Sequence, residues 1–236
     1  MSSDSYPFPV AISRLTEGEK SREPQNMRAI EWLLKQAGGA LVVVTPQKRF
    51  SGDTLKQLVG QSGVTHSAWR GFSAGALAGR RVLYAWPDRK RLNELWGCNA
   101  DAIVVLEWSE GETAEWVEDS VPTELLGGRT TIHTAKEGNA LNEPLPNGVE
   151  EILKHVAQMA AGYSSGLKWN EEDMLKADMM NRPERWEPIF PEQIRAKCRE
   201  LGMRPNDVDT VTGFLQRRKD GRRFNVRSSY RDFRFN

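Results

Sequence analysis

The sequence predicts an α/β protein. An N-terminal three-layer domain with a short, mostly parallel sheet is followed by an α-helical C-terminal region with helix-turn-helix-like spacing and a basic tail. Three observations carry this prediction. Residues 81–108, RVLYAWPDRKRLNELWGCNADAIVVLEW, read as strand, helix, strand, with Leu92, Leu95 and Trp96 on one face of the middle segment. The flanking runs are apolar throughout rather than alternating, as expected of strands buried on both faces. From residue 148 onward apolar residues recur only at helical spacing, until a positively charged end.

Residues 1–25 are polar and contain Pro7, Pro9 and Pro24, which predicts irregular chain with one short strand near Val10–Ile12. Asn26 is suited to cap a first helix with Met27, Ile30, Leu33, Leu34 and Ala37 on one face, stopped by Gly38 and Gly39. Ala40–Thr45 (ALVVVT) is a buried strand ended by Pro46, and Leu55, Leu58 and Val59 mark a short helix. The Gly-, Ser- and Ala-rich residues 61–79 predict a long loop containing a weak helix. Val82–Trp86 and Ile103–Trp108 are the next strands. Asp88 caps the helix between them, and Ser109–Glu112 has the S-x-x-E form of a capping box. Thr130–Thr134 adds an edge strand. Strands separated by helices pair in parallel. Residues 1–135 are therefore expected to form a Rossmann-like domain with Val43, Val104 and Val105 in its core.

Residues 136–147 read as a linker, and 148–236 as the helical region. Its first helix is capped by Asn147 and buries Ile152, Leu153 and Val156. A second is capped by Asn170. A third runs from Pro191 to Leu201, and a fourth, capped by Asn206, turns Val208, Val211 and Leu215 inward. Lys219–Arg222 (KDGR) is a hairpin-turn candidate behind them.

Several function classes lose support. Cys98 and Cys198 lack CxxC spacing and neighbouring histidines, so reduced, buried thiols in a cytoplasmic protein are expected. No apolar run spans a membrane, and MSSDSYPFPV lacks the pattern of a signal peptide, so no membrane partner is expected. No GxxxxGK[ST] or GxGxxG follows a strand, and no His/Asp/Glu cluster has metal-ligand spacing, so no cofactor or metal is expected. No catalytic residue can be assigned: His66 has Ser67 and Ser73 near it but no Gly-x-Ser-x-Gly turn, and His133 and His155 stand alone. The eight tryptophans are expected to fill cores.

What remains is a binding or accessory protein. Residues 217–236 hold eight basic and two acidic residues, net +6, while the first 216 hold 25 basic and 30 acidic, net −5. Arg217, Arg218, Lys219, Arg222, Arg223, Arg227, Arg231 and Arg234 are interleaved with Phe224, Tyr230, Phe233 and Phe235. Guanidinium groups pair with phosphates and rings stack on bases, so this composition suits nucleic acid, with Tyr230 among the contacts. In a winged-helix-like arrangement residues 206–216 would be the recognition helix and the hairpin its wing, although Asp207 and Asp209 would oppose phosphates. The same composition suits a protein partner, self-association, or a tail folded over the acidic body. A separate reading is an enzyme or sensor acting on a nucleotide or phosphate-bearing ligand at the carboxyl ends of the strands, where Lys48, Arg49, Asp88 and Glu107 gather.

Overall fold

A computed structural model of the chain describes residues 6–132, 145–146, 148–163 and 166–236, of which 129–132 by backbone alone. The chain divides into two compact units, Met1–Lys136 and Glu137–Asn236.

The first unit is built on one sheet. Its strands are β1 (Val10–Ser13), β2 (Leu41–Thr45), β3 (Val64–Ala68), β4 (Arg81–Ala85), β5 (Ala102–Leu106), β6 (Thr123–Leu126) and β7 (Arg129–Ile132). Their spatial order is β3-β2-β4-β5-β1-β6-β7. The first six run parallel, and β7 closes the edge antiparallel to β6. The register puts Val43, Leu83, Val104 and Ala11 in one row across four strands, each 0% exposed. That row faces α1 (Glu23–Leu34) and α2 (Asp53–Val59). The next row, Val44, Tyr84, Val105 and Ile12, faces α3 (Arg89–Asn93), α4 (Glu110–Ser120) and a short 3-10 helix, Ala74–Leu77. Each Val or Leu taken fully out of water contributes roughly 1.5–3 kcal/mol, so both faces of these strands drive folding.

Several sequence expectations are corrected. The short strand expected near Val10–Ile12 is present as Val10–Ser13, where it lies between β5 and β6 and is wholly buried. Residues 61–79 hold the expected short helix, Ala74–Leu77, but also a strand that was not expected, Val64–Ala68, which forms β3. As an edge strand it is only half-buried and tolerates Thr65, His66 and Ser67, so it shows no apolar run. β6 carried no sequence signal. α1 begins before Asn26, with Pro24 in its first turn and Arg22 at the cap position. Asp88 does cap α3, Oδ1 accepting from Arg91 N at 2.8 Å. The Ser109 side chain makes no cap, and Glu112 instead accepts from Arg89 N at 2.8 Å.

The second unit holds α5 (Val149–Ala161), α6 (Trp169–Asn181), α7 (Pro183–Trp186), α8 (Pro191–Glu200) and α9 (Pro205–Lys219) around one core. Ile152, Leu153 and Val156 lie in that core, as the periodicity predicts. Lys168 and Arg204, not Asn170 and Asn206, occupy the cap positions of α6 and α9; Asn147, His133 and most of the linker lie outside the described residues. α8 and α9 are consecutive helices packed on each other, but α9, about four turns long, is not free to read a groove: its first half buries Asp207, Val208, Val211 and Thr212. Residues 219–227 contain no strand, so no wing exists. Phe224 and Phe235 instead pack against the core.

Both thiols are buried. Burial pushes the Cys98 thiol up to about 11 and that of Cys198 up to about 12. Among the described residues no helix is long and apolar enough to cross a membrane.

Leu153 has no exposed surface and sits among α5, α6, α8 and α9 residues of the core. Leu153→Ala is expected to destabilise the second unit by about 2–5 kcal/mol, read as a lower midpoint in urea unfolding.

Candidate nucleic-acid interface

The first unit has its ligand-prone edge where helices leave adjacent strands towards opposite faces. That happens twice: between β2 and β4, followed by α2 and α3, and between β5 and β1, followed by α4 and α1. At the first point Lys48 and Arg49 are exposed, and Asp88 is committed to the α3 cap. At the second, Glu107 pairs with Arg14 at 3.3 Å and accepts from the Thr113 hydroxyl. Arg22 fills the space beside it, donating to Glu107 O at 2.9 Å and Trp108 O at 3.2 Å while its guanidinium lies 4.1 Å from the centre of the Trp108 ring. The acids of the predicted rim thus hold the protein together rather than facing a ligand. Among the described residues no cluster of His, Cys, Asp and Glu is placed to hold a metal ion.

His66 sits at this rim with a fixed tautomer. The Thr45 hydroxyl has one proton and donates it to Gln47 O at 2.6 Å, so His66 Nε2, 2.8 Å away, must donate to Thr45. Burial, then the nearby Lys48 charge, lowers the imidazole pKa. Ser67 and Ser73 have no hydrogen bond to it, and this is not a nucleophile–base pair.

The basic tail of the second unit is ordered by α6 and its neighbours. Arg217, in the last turn of α9, lies 5.0 Å from the Phe214 ring centre and 5.5 Å from that of Phe224. Arg218 donates to Arg222 O at 2.9 Å, and Lys219 to Glu187 O at 2.9 Å. Arg227 pairs with the buried Asp173 at 2.7 Å. Asn181 holds the carbonyls of Arg231 and Phe233 at 2.9 and 3.0 Å, and Phe235 N donates to Asp178 at 2.8 Å. Between these anchors the tail alternates: Phe224, Val226, Phe233 and Phe235 are half-buried, while Arg222, Arg223, Arg231 and Arg234 are exposed. These four arginine side chains have no acidic partner among the described residues. Of the nine tail residues singled out by composition, four therefore present free cations, and Arg218 and Arg227 are spent largely on the fold.

Compared with protein-family models, curated proteins and solved structures, the chain matches none.

Composition alone missed the surface beside the tail. Trp169 opens α6 and is 52% exposed, and Tyr163 is 37% exposed. Arg227 lies 4.1 Å from the Trp169 ring centre, and Lys168 Nζ lies 4.8 Å from that of Tyr163. Tyr230 meets Trp169 edge-on at 6.1 Å. Tryptophans are thus not uniformly core: Trp116 and Trp186 are buried, but Trp96, Trp108 and Trp169 are exposed. The available signal was position, since Trp169 follows Gly166 and Lys168 at a helix start rather than standing in an apolar run. Two acids of α6 are engaged: Glu172 with Lys176 at 2.7 Å and Asp173 with Arg227.

Asp207 is also turned inward. One carboxylate oxygen accepts from Leu167 N at 2.8 Å, and the other is buried without a partner. Burial raises its pKa, outweighing that hydrogen bond. A carboxyl whose folded pKa is raised stabilises the fold at low pH and loses that contribution as pH rises through the folded value. Asp207→Asn keeps an acceptor and stays neutral, so it should raise Tm at pH 7. That gain should fade as the pH falls towards about 4, where unfolded carboxyls also protonate.

Proposed function

We propose that this protein binds nucleic acid through the C-terminal unit. The observation that carries this reading is four exposed arginines, Arg222, Arg223, Arg231 and Arg234, on a tail whose Phe224 and Phe235 pack against the core. A guanidinium held on a fixed backbone meets phosphate oxygens at little cost in ordering, and its two-pronged donor face matches them. Asp207 and Asp173 are buried and Asp209 is paired with Arg195, while Asp232, between Arg231 and Arg234, is exposed and counts against a phosphate at that point. Positive charge within an otherwise acidic chain is thereby concentrated where it meets solvent. The reading is one of binding, and no catalytic step is part of it.

The tail cannot simply be removed to test this, because Phe224 and Phe235 belong to the packing of the unit. Charge-removing substitutions at exposed positions leave that packing alone. Replacing the four arginines together with glutamine should leave Tm within a few degrees of the parent and abolish binding to labelled oligonucleotides in fluorescence anisotropy. With four phosphate contacts to a single strand, log K should fall with log salt at a slope of about −3, and Arg231→Gln should flatten it by about 0.7. No binding by the folded parent at low salt, or unchanged binding by the fourfold variant, would refute the reading.

A further inference from the structure

We infer that Trp169 and Tyr163 form a base-stacking platform, so that the preferred ligand of this unit is a single strand with accessible bases. This rests on the nucleic-acid reading above and adds what the arginines cannot supply, since cations alone do not distinguish a strand from a duplex.

The argument begins with the Trp169 ring. A tryptophan that is 52% exposed leaves a large apolar face in water, although the unit has a core large enough to hold Trp186 at 2% exposure. Its place is set by rigid backbone: it is the first residue of α6, and Glu172 N donates to Lys168 O at 3.0 Å directly beneath it. Its orientation is set from two sides. The Arg227 guanidinium lies over the ring at 4.1 Å, and Tyr230 contacts it edge-on at 6.1 Å and 78°. Arg227 is itself fixed, because Nη1 pairs with Asp173 Oδ2 at 2.7 Å and its backbone N donates to the same oxygen at 3.3 Å. The indole is thus held in one plane before any ligand arrives, with the remaining exposed surface open to a planar group.

A second ring repeats the motif. Tyr163 is 37% exposed, with Lys168 Nζ 4.8 Å from its centre, and Lys168 is the residue next to Trp169. Two exposed rings, each with a cation beside it and linked through one lysine, meet both halves of a nucleotide. The rings offer π-faces to bases, and the Lys168 ammonium offers charge to the phosphate between them. Duplex bases are already stacked on one another and present no free face. An apolar protein partner would leave the Lys168 ammonium beside the rings without an anion.

The test uses the full chain and three labelled probes of equal length: oligo(dT), an abasic oligodeoxynucleotide carrying the same phosphates, and a duplex. The expected parent preference is for oligo(dT) over the abasic strand and the duplex. Trp169→Ala should weaken oligo(dT) binding by about 5- to 150-fold, down to the abasic level, and leave abasic binding unchanged. Trp169→Phe, which keeps a ring, should retain most of the affinity, and an unchanged Tm for both variants shows that the fold is intact. Equal parent affinity for oligo(dT) and the abasic strand overturns the platform, as does tight duplex binding indifferent to Trp169→Ala; either result leaves the arginine-based reading standing. That reading fails separately, when the parent binds none of the three probes at low salt.

Discussion

Asp178 is the constraint on which the C-terminal unit depends. A carboxylate with no exposed surface must be surrounded by donors, and the donors here come from two separate parts of the chain, α7 and the tail. The Trp186 indole N–H of α7 donates at 2.8 Å, Arg185 approaches at 3.3 and 3.4 Å, and the Phe235 backbone N–H donates at 2.8 Å. Removing one partner of such a buried charge typically costs about 3–5 kcal/mol, because the charge that remains has no water to turn to. The short helix α7 and the tail therefore hold their places as a condition of burying Asp178, and the exposed arginines are fixed as a by-product.

The two units solve the problem of polar groups near a core differently. In the first, the polar ends of the strands are closed by the chain's own side chains. Gln25, buried at the start of α1, donates to Ser13 O at 2.7 Å and Glu107 O at 2.8 Å, and the Ser13 hydroxyl returns a bond to Gln25 O at 2.8 Å. Arg14 joins Glu107 to Glu124, and Arg28 joins Glu19 to the Arg14 carbonyl. These bonds stitch β1, β5, β6 and α1 together at the edge where related architectures leave space for a ligand. Backbone strain occurs there, as it does at Val121 (φ 45°) before β6. Trp86, just past β4, adopts φ 55°, a left-handed conformation unfavourable for an aromatic residue, while its N–H is held by Leu106 O at 2.9 Å.

What was legible in the sequence follows from the same physics. β2, β4 and β5 announced themselves because helices cover both of their faces, leaving no position for a polar residue. β1 is buried just as fully and was legible as a short strand, but at four residues, between Pro9 and a polar loop, it gave no sign of its central place in the sheet. β3 and β6 are partly exposed and carry Thr, His, Ser and Glu, so their strand character lies in pairing rather than in composition. In the C-terminal unit the helices were legible from apolar spacing. α6 was not readable in detail, because its acidic Asp173 and Asp178 are buried only once the tail covers them. The arginines of the interface could be named from composition. Trp169 could not, since nothing in a list of tryptophans distinguishes a ring at a helix start from one in a core.

The buried cysteines have a consequence for chemical accessibility. A thiol reacts as its thiolate, and Cys98 and Cys198 combine raised pKa values with little or no contact with solvent. At neutral pH both are therefore poor nucleophiles towards maleimides and slow to oxidise. A cysteine introduced at an exposed tail position such as Asn225 would be the one reactive thiol, so a fluorophore attached there would report the tail's surroundings without disturbing either core.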